Sequence, residues 1–465
     1  VTARWRTIWL VTLGVLVWRV LYLIFWCPYE LLGDEAQYWV WSRHLDLSYY
    51  SKGPGVAWAI AASTRLLGNA EWAIRLPAAV AGAVTMLALA QLGVAVSGDV
   101  RVGLAAAVLF CFVPGYWGMA QWMTIDAPYV ACWILAVLAY WHTRRQPSAW
   151  FWLGLALGVG FLFKYTILLL LPGLVVFDLL QRRPSRGWWV TGLVFLVTIS
   201  PVVIWNQQHG WPTWAHLLGH LHVAGGDVAK EPWKFETLDM IGSQIGIIGP
   251  LIVLMVVALW RDRRGLLAWC AVPTLVFYLL VSFKTKVQAN WLLAAYTTLL
   301  VLVAQWLMSQ PPRWVRRVTW FALGYGGIAL VVLSFPMLVT GVPVIGKKVP
   351  VHRLWGQRAF AEKVQEVRDR VSGAMIVAAS YQRASLLNYY LPDLPPVFSA
   401  ASRLGGRRSS HDFFADTDLR QPALAGRPAV LVGADPAAWQ RALRFDRIEE
   451  IDAGNQLAIG YNYRP

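Results

Sequence analysis

Gly33-Asp34-Glu35-Ala36-Gln37-Tyr38 places two consecutive carboxylates directly after the apolar run Ile8 to Trp26. Ionisable groups beside lipid are costly to keep, so they mark function. The same segment continues to Tyr49-Tyr50-Ser51-Lys52-Gly53-Pro54, whose ammonium group can fold back against the acids. Three more lysines, Lys164, Lys284 and Lys286, lie on the side of the chain that otherwise carries the acidic loop. A carboxylate that takes a proton, with ammonium groups that hold an anion, describes the working end of a membrane-embedded enzyme. A simpler reading stands beside it. Asp34 and Asp126 each occupy a position where a helix N-cap would sit, and Lys52 and Lys164 can snorkel. Glu35 is expected to pair with Lys52 or Arg43.

His216 and His220 fall on one helical face at i and i+4, a spacing that zinc uses. No glutamate follows in the metalloprotease manner, so the expectation is substrate contact and no metal or other cofactor. The four cysteines lie inside or at the edges of apolar runs without metal-ligand spacing or a disulfide framework.

The elements that must position these groups are membrane helices. Of 465 residues, 57% are hydrophobic and 14% charged, and the mean hydropathy is +0.49, which a chain with an ordinary soluble surface does not show. The net charge of +16 comes from short clusters between apolar runs, not from a continuous basic face, so no nucleic-acid partner is expected. About eleven spans of bilayer length can be placed. The clearest are Ile8–Trp26, Pro77–Val96, Val102–Met119, Ala127–Trp141, Trp188–Ile204, Ile241–Trp260, Leu266–Phe283, Trp291–Met308 and Val318–Pro336. Trp150–Leu180 is too long for one span and is split into two short helices meeting near Phe163-Lys164-Tyr165. Arg4 and Arg6, Arg101, Arg144-Arg145, Arg182-Arg183, Arg261 and Arg313 all fall on one side, which makes the N-terminus cytoplasmic and the first span a retained anchor. Most of the 28 tryptophans read as an interfacial belt.

Residues 27–75 form a first outer loop with two interfacial helices. One begins at Gly33-Asp34, with Gln37 completing a capping-box variant, and carries Tyr38, Trp39 and Trp41 along the interface. The other runs from Pro54 to near Gly68. Residues 205–239 form a long outer loop. Residues 1–340 are thus a transmembrane domain, and 341–465 a soluble α/β domain on the outer side. In that domain a helix is expected over Trp355–Val371, a strand over Ala374–Ala379, a helix over Tyr381–Leu391, a strand over Ala429–Gly433, a helix over Ala437–Leu443 and an edge strand over Gln456–Tyr461. Gly405-Gly406-Arg407-Arg408 follows no strand and is not a phosphate-binding fingerprint.

In order along the chain, Leu32-Gly33-Asp34-Glu35-Ala36-Gln37-Tyr38, Tyr49-Tyr50-Ser51-Lys52-Gly53-Pro54, Arg75-Leu76-Pro77, Thr124-Ile125-Asp126-Ala127-Pro128 and Gly160-Phe161-Leu162-Phe163-Lys164-Tyr165 resemble the motifs of polyprenyl-phosphate-sugar-dependent glycosyltransferases of the GT-C fold. The resemblance covers roughly residues 1–310. It is to the branch named after dolichyl-phosphate-mannose protein mannosyltransferases, which includes lipid A aminoarabinose transferases and lipopolysaccharide core galacturonosyltransferases. It implies a mainly α, polytopic enzyme of the bacterial inner membrane with a periplasmic C-terminal domain. Such an enzyme transfers a sugar from a polyprenyl-phosphate carrier to a glycan, lipid or protein hydroxyl, with inversion. By motif position Asp34 matches the base. The resemblance further implies that Glu35, Lys52, Asp126, Lys164 and Tyr165 contact substrate, together with Lys284, Lys286, Gln288 and Asn290 of the short outer loop. The aminoarabinose branch has Glu-Lys-Pro-Pro where this chain has Ser51-Lys52-Gly53-Pro54, which removes the acid a metal there would need. A polytopic transporter or flippase, or a non-catalytic envelope assembly protein, is the alternative. The transporter would place its polar residues at mid-membrane on repeated halves, and no internal repeat is found.

Overall fold

The computed structural model of the chain describes residues 2–183, 185–220, 234–340 and 354–465. His222, much of the 205–239 loop and the start of the 341–465 segment lie outside the described residues. The helices in chain order are α1 (Thr2–Phe25), α2 (Gly33–Arg43), α3 (Gly55–Leu67), α4 (Glu71–Ser97), α5 (Val100–Cys111), α6 (Pro114–Met119), α7 (Asp126–His142) and α8 (Ala149–Phe163). After a 3-10 turn at Tyr165–Leu169 come α9 (Leu170–Leu180), α10 (Gly187–His209), α11 (Pro212–His220), α12 (Thr237–Ile248), α13 (Leu251–Arg261), α14 (Leu266–Ser282), α15 (Leu293–Met308), α16 (Arg313–Ser334) and α17 (Met337–Thr340).

Among the described residues, five of these helices are each long and apolar enough to cross a bilayer: those containing Trp5–Phe25, Glu71–Ser97, Gly187–His209, Ala289–Met308 and Arg313–Ser334. The large apolar side chains of α10 and α16, such as Trp189, Leu193, Val197, Phe321 and Ile328, face outward, as lipid-facing surfaces do. Two expected spans are broken. Ile241–Trp260 bends by 103° between α12 and α13, because Gly249 takes a left-handed φ of 68° and Pro250 is the N-cap of the next helix. Val102–Met119 divides at Pro114, the first residue of α6. The break expected at Lys164 is present, with Lys164 extended between α8 and the 3-10 turn. Irregular backbone at membrane depth is tolerated where it lines a protein cavity, and this break does.

The first outer segment departs from expectation in two details. The first turn of α2 is closed by Glu35, which accepts a hydrogen bond from Leu32 N at 3.0 Å, so Gln37 is not the capping partner. Tyr38, Trp39 and Trp41 are buried instead of lying along an interface. The reason is that the C-terminal domain packs directly onto α2.

That domain is a five-stranded sheet in the order β2-β1-β3-β5-β4. Strands β1 (Met375–Ala378), β2 (Val397–Ser399) and β3 (Ala429–Val432) are parallel, while β4 (Arg447–Asp452) and β5 (Leu457–Tyr461) join antiparallel. Helices α18 (Gln357–Asp369), α19 (Tyr381–Tyr390) and α20 (Pro436–Ala442) accompany it. The segment 456–461 lies between two strands and is not an edge. β2 has three residues and β4 is charged, so neither carried a readable alternation.

α19 lies against α2. Tyr390 Oη accepts from Leu31 N at 2.7 Å and donates to Glu71 at 2.8 Å. Tyr389 Oη donates to Asn69 O at 2.7 Å, and its ring meets Trp39 edge-on at 5.0 Å. A Cβ on Gly33 would sit 2.6 Å from Gln382 Cβ, so only glycine permits this approach beside Asp34.

Candidate active site

Glu35 is fully buried, and its oxygens are saturated. Arg75 donates through Nε and Nη2 at 2.9 Å each, Met123 N donates at 2.8 Å and Leu32 N at 3.0 Å. The remaining Arg75 donors bind Tyr29 O and Glu30 O. The partner of Glu35 is therefore Arg75, not Lys52 or Arg43. With four donors and no exposure the carboxylate has nothing left for a substrate. It ties the starts of α2 and α4 to the loop before α7.

Asp126, the first residue of α7, accepts Lys164 Nζ at 2.8 Å, Asn290 Nδ2 at 2.6 Å and Thr124 Oγ1 at 3.2 Å. Lys164 also stands over the rings of Tyr129 and Trp291 at 5.3 and 6.0 Å. Three residues separated widely in sequence thus meet in one hydrogen-bonded group. Its positive member is held by the extended backbone between α8 and the 3-10 turn.

Asp34 differs from both acids. Among the described residues its carboxylate makes no direct hydrogen bond or ion pair. It faces Lys52, Arg407 and Asp126 electrostatically. Asp34 keeps access to solvent beside these charges. Protein crowding it on several sides raises its pKa by burial, and Arg407 and Lys52 pull it partly back. Lys52 has the complementary shift: burial and then Lys164 lower it to about 8, with Asp126 and Asp34 opposing. Gly53 explains how Lys52 gets there, since a Cβ at that position would lie 2.3 Å from Leu162 O. The Lys52 loop is laid flat against the α8 break that carries Lys164.

Arg407 is the residue the sequence did not reveal. Its Nη2 donates to Tyr381 Oη at 2.6 Å, and its charge acts on Asp34, Tyr38 and Lys52. It belongs to the C-terminal domain, some 370 residues from Asp34, and no local pattern links the two. Asp34, Asp126, Lys52, Lys164 and Arg407 leave an excess of one positive charge, suited to an anion.

The remaining expected residues are placed around this group. His216 is buried with its ring 4.9 Å from Tyr50, close to Lys52 in sequence. His220 ends α11, and its side chain lies outside the described residues. The Tyr165 hydroxyl is buried and turned toward Ser48 and Thr213. Gln288 is exposed just before Asn290. Lys286 is exposed and its charge acts on Glu236. The Lys284 carbonyl accepts from Lys234 N. These two lysines form a neighbouring basic turn and are not among the charges that act on Asp34. Among the described residues no cluster of three histidine, cysteine or acidic side chains could hold a metal ion.

Beside the charged group runs an apolar groove of about 440 Å³ between α3, α4 and α7, walled by Leu66, Leu76, Val80, Pro128, Leu135 and Phe163. Two of these residues adjoin the charges in sequence: Pro128 follows Asp126 by two residues and Phe163 precedes Lys164. The groove is large enough for a hydrocarbon segment.

Residues 51–205 match the family described as dolichyl-phosphate-mannose-protein mannosyltransferase. The lipid A galacturonosyltransferase RgtD of Rhizobium johnstonii is 31% identical over 70% of this chain and 70% of its own. An undecaprenyl phosphate-alpha-4-amino-4-deoxy-L-arabinose arabinosyl transferase of Pseudomonas savastanoi is 25% identical, over 53% of this chain and 51% of its own. Among solved structures, ArnT from Cupriavidus metallidurans superposes with a TM-score of 0.65 over 98% of both chains at 15% identity. The same protein bound to undecaprenyl phosphate gives 0.64 over 97% of both.

Proposed function

The chain belongs to the GT-C glycosyltransferases that use lipid-phosphate-linked sugars, a family of multi-pass membrane enzymes, and from that premise we propose that it moves a sugar from a polyprenyl-phosphate carrier to a hydroxyl of a lipid A-class acceptor. The observation that carries this reading is the group Asp34, Lys52, Asp126, Lys164 and Arg407, in which Asp34 makes no direct hydrogen bond or ion pair among the described residues, together with an apolar groove whose walls Pro128 and Phe163 adjoin Asp126 and Lys164 in the chain.

The groove takes the polyprenyl tail, since each buried methylene contributes roughly 0.8 kcal/mol. The carrier phosphate then lies at the groove's end against Lys52 and Lys164. Asp34 removes the proton from the acceptor hydroxyl. The acceptor oxygen forms its bond to the anomeric carbon as the bond from that carbon to the phosphate oxygen breaks, with the electron pair leaving on the phosphate. The phosphate gains negative charge as it departs, so a protonated Lys52 binds the transition state better than the ground state. A single displacement of this kind inverts the anomeric centre and needs one carboxylate base, whereas retention would require a second as nucleophile.

The basic clusters support a cytoplasmic N-terminus with the cleft and C-terminal domain periplasmic. Arg101, Arg144-Arg145, Arg182-Arg183, Arg261 and Arg313 all occupy helix ends opposite those bearing Asp126, Lys164 and Asn290.

The test is transfer from a synthetic polyprenyl-phosphate sugar, galacturonic acid first and aminoarabinose second, to lipid A in detergent micelles. Wild type is expected to consume donor and form the glycosylated lipid, and Asp34→Asn to stop both while remaining folded. Movement of a lipid or solute across proteoliposomes without donor turnover would instead favour a transporter.

A further inference from the structure

A second polar cavity, of about 190 Å³, lies within the C-terminal domain beyond the end of β2, away from the Asp34 cleft. Ser399, Arg403, Arg408, His411, Thr417 and Arg420 line it, together with Asp412 and Asp418. Both acids are already engaged. Asp418 accepts Arg420 through Nε and Nη2 at 3.0 Å and its backbone N at 2.8 Å. Asp412 accepts Ser409 N at 2.7 Å and Ser402 Oγ at 2.5 Å. Arg403 and Arg408 have no ion pair among the described residues. Arg403 only reaches Tyr463 Oη at 3.5 Å, and Arg408 lies over the Phe413 ring at 4.8 Å. Three guanidinium groups against two carboxylates leave the cavity positive.

His411 supplies an independent sign of a missing ligand. It is 2% exposed, and among the described residues its Nδ1 has no partner, a costly state for a buried polar atom. Its Nε2 meets Ser385 Oγ at 3.2 Å. Ser385 Oγ gives its own proton to Tyr381 O at 2.8 Å, so Nε2–H donates to Ser385 Oγ and Nδ1 keeps its lone pair as an acceptor. Guanidinium groups beside such an acceptor suit a singly protonated phosphate, whose charged oxygens take the arginine donors and whose P–OH can donate to Nδ1. The volume is below the roughly 300 Å³ of pockets for drug-sized ligands, so it suits a phosphate with a few attached atoms.

We propose that this cavity binds a phosphate group, and that the group is one borne by the acceptor. The cavity and the catalytic cleft share one segment: Arg408 faces the cavity while Arg407 borders Asp34. Phe413 and Phe414 of the same segment cover Tyr50 and His44 of the first outer loop. An acceptor anchored by its phosphate beyond β2 would extend toward Asp34. This second part rests on the transferase reading; the binding of phosphate does not.

Thermal unfolding of the full chain in detergent tests the site without turnover. Adding about 10 mM inorganic phosphate is expected to raise the midpoint by about 3 °C over chloride at matched ionic strength. Arg403→Gln with Arg408→Gln should abolish that difference. Should the double variant fail to fold, Arg408→Gln alone serves, since among the described residues Arg408 makes no ion pair or hydrogen bond and lies over the Phe413 ring. An equal midpoint in phosphate and chloride, or a shift unchanged in the variant, overturns the site. For the source of the phosphate, wild type should show an acceptor KM at least about tenfold lower for phosphorylated than for dephosphorylated lipid A, the worth of one charge-assisted hydrogen bond. The substitutions should remove that preference and raise acceptor KM more than donor KM. A phosphate-dependent midpoint without any acceptor discrimination would leave an anion site and sink its role as an acceptor anchor. Absence of transfer in wild type would count against the transferase reading alone.

Discussion

Asp34 and Glu35 are consecutive carboxylates in the first turn of one helix, and they meet opposite environments. Glu35 turns inward, loses all exposure and saturates its oxygens on Arg75 and two backbone amides. Asp34 stays exposed, where Arg407 and Lys52 act on it from a distance and, among the described residues, none bonds to it directly. A charge so fully bonded has no capacity to change state during a reaction, whereas a carboxylate held near cations without a direct partner can accept a proton at little cost in structure. Chemistry here is therefore expected from the acid with fewer contacts.

Substituting each acid in turn is the sharpest way to break this contrast. Asp34→Asn should lower kcat by about 10²–10⁴-fold, the usual share of a general base, with an unfolding midpoint close to wild type. Glu35→Gln should do the reverse. It leaves Arg75 buried without its counter-charge, at a cost of about 3–5 kcal/mol, read as a lower midpoint and less folded protein, with activity falling only in proportion. If Glu35→Gln folds normally but cannot catalyse, the division of roles drawn here is wrong.

The cations refine the picture. In the proposed mechanism Lys52, lowered to about 8 by burial and by Lys164, would hold the leaving phosphate only in its charged form. Activity should therefore decline as pH rises through that value. Lys52→Arg, charged at every accessible pH, should move the alkaline limb upward, and Lys52→Gln should remove it with a rise in donor KM. On the acid side, burial raises the Asp34 pKa, so the limb where activity appears should lie above the ordinary aspartate range. Arg407→Ala is expected to cost about tenfold in kcat/KM without unfolding the domain, since among the described residues its one hydrogen bond goes to Tyr381.

The smallest expected effect concerns docking of the C-terminal domain. His44 Nε2 pairs with Asp416 at 2.8 Å, and both side chains are partly exposed. Burial works against the charged ring, but Asp416 and Val40 O more than offset it and raise its pKa. Stability from this pair is present below the ordinary histidine pKa and is lost as pH rises through the raised one. For a solvent-screened pair it should stay under about 1 kcal/mol. His44→Gln should flatten that pH dependence of the unfolding midpoint, and an unchanged slope would assign it elsewhere.

Much of the architecture was written locally. Apolar length marked the spans, the sequence around Phe163-Lys164-Tyr165 announced a broken helix, and Gly68 ended α3 where expected. Strands β1, β3 and β5 were legible from their apolar runs. The bends at Pro114 and Gly249-Pro250 were signalled by residues whose effect hydropathy averaging hides. The candidate site divides in the same way. Asp34, Lys52, Asp126 and Lys164 stood out because charge is rare beside apolar runs, which is a property of composition and needs no coordinates.

Other features followed from contacts between distant segments. Chain order could not say that Glu35 would take Arg75, because the choice among several nearby cations depends on which helix packs behind the loop. Nor could it say that Arg407 would act on Asp34, since the position of the C-terminal sheet segment over the helices is set by surface fit between α19 and α2. Residue types and hydropathy fixed which groups were available for chemistry. Packing decided which of them were neutralised and which were left ready to react, because desolvation and hydrogen-bond saturation depend on neighbours brought together only by the fold.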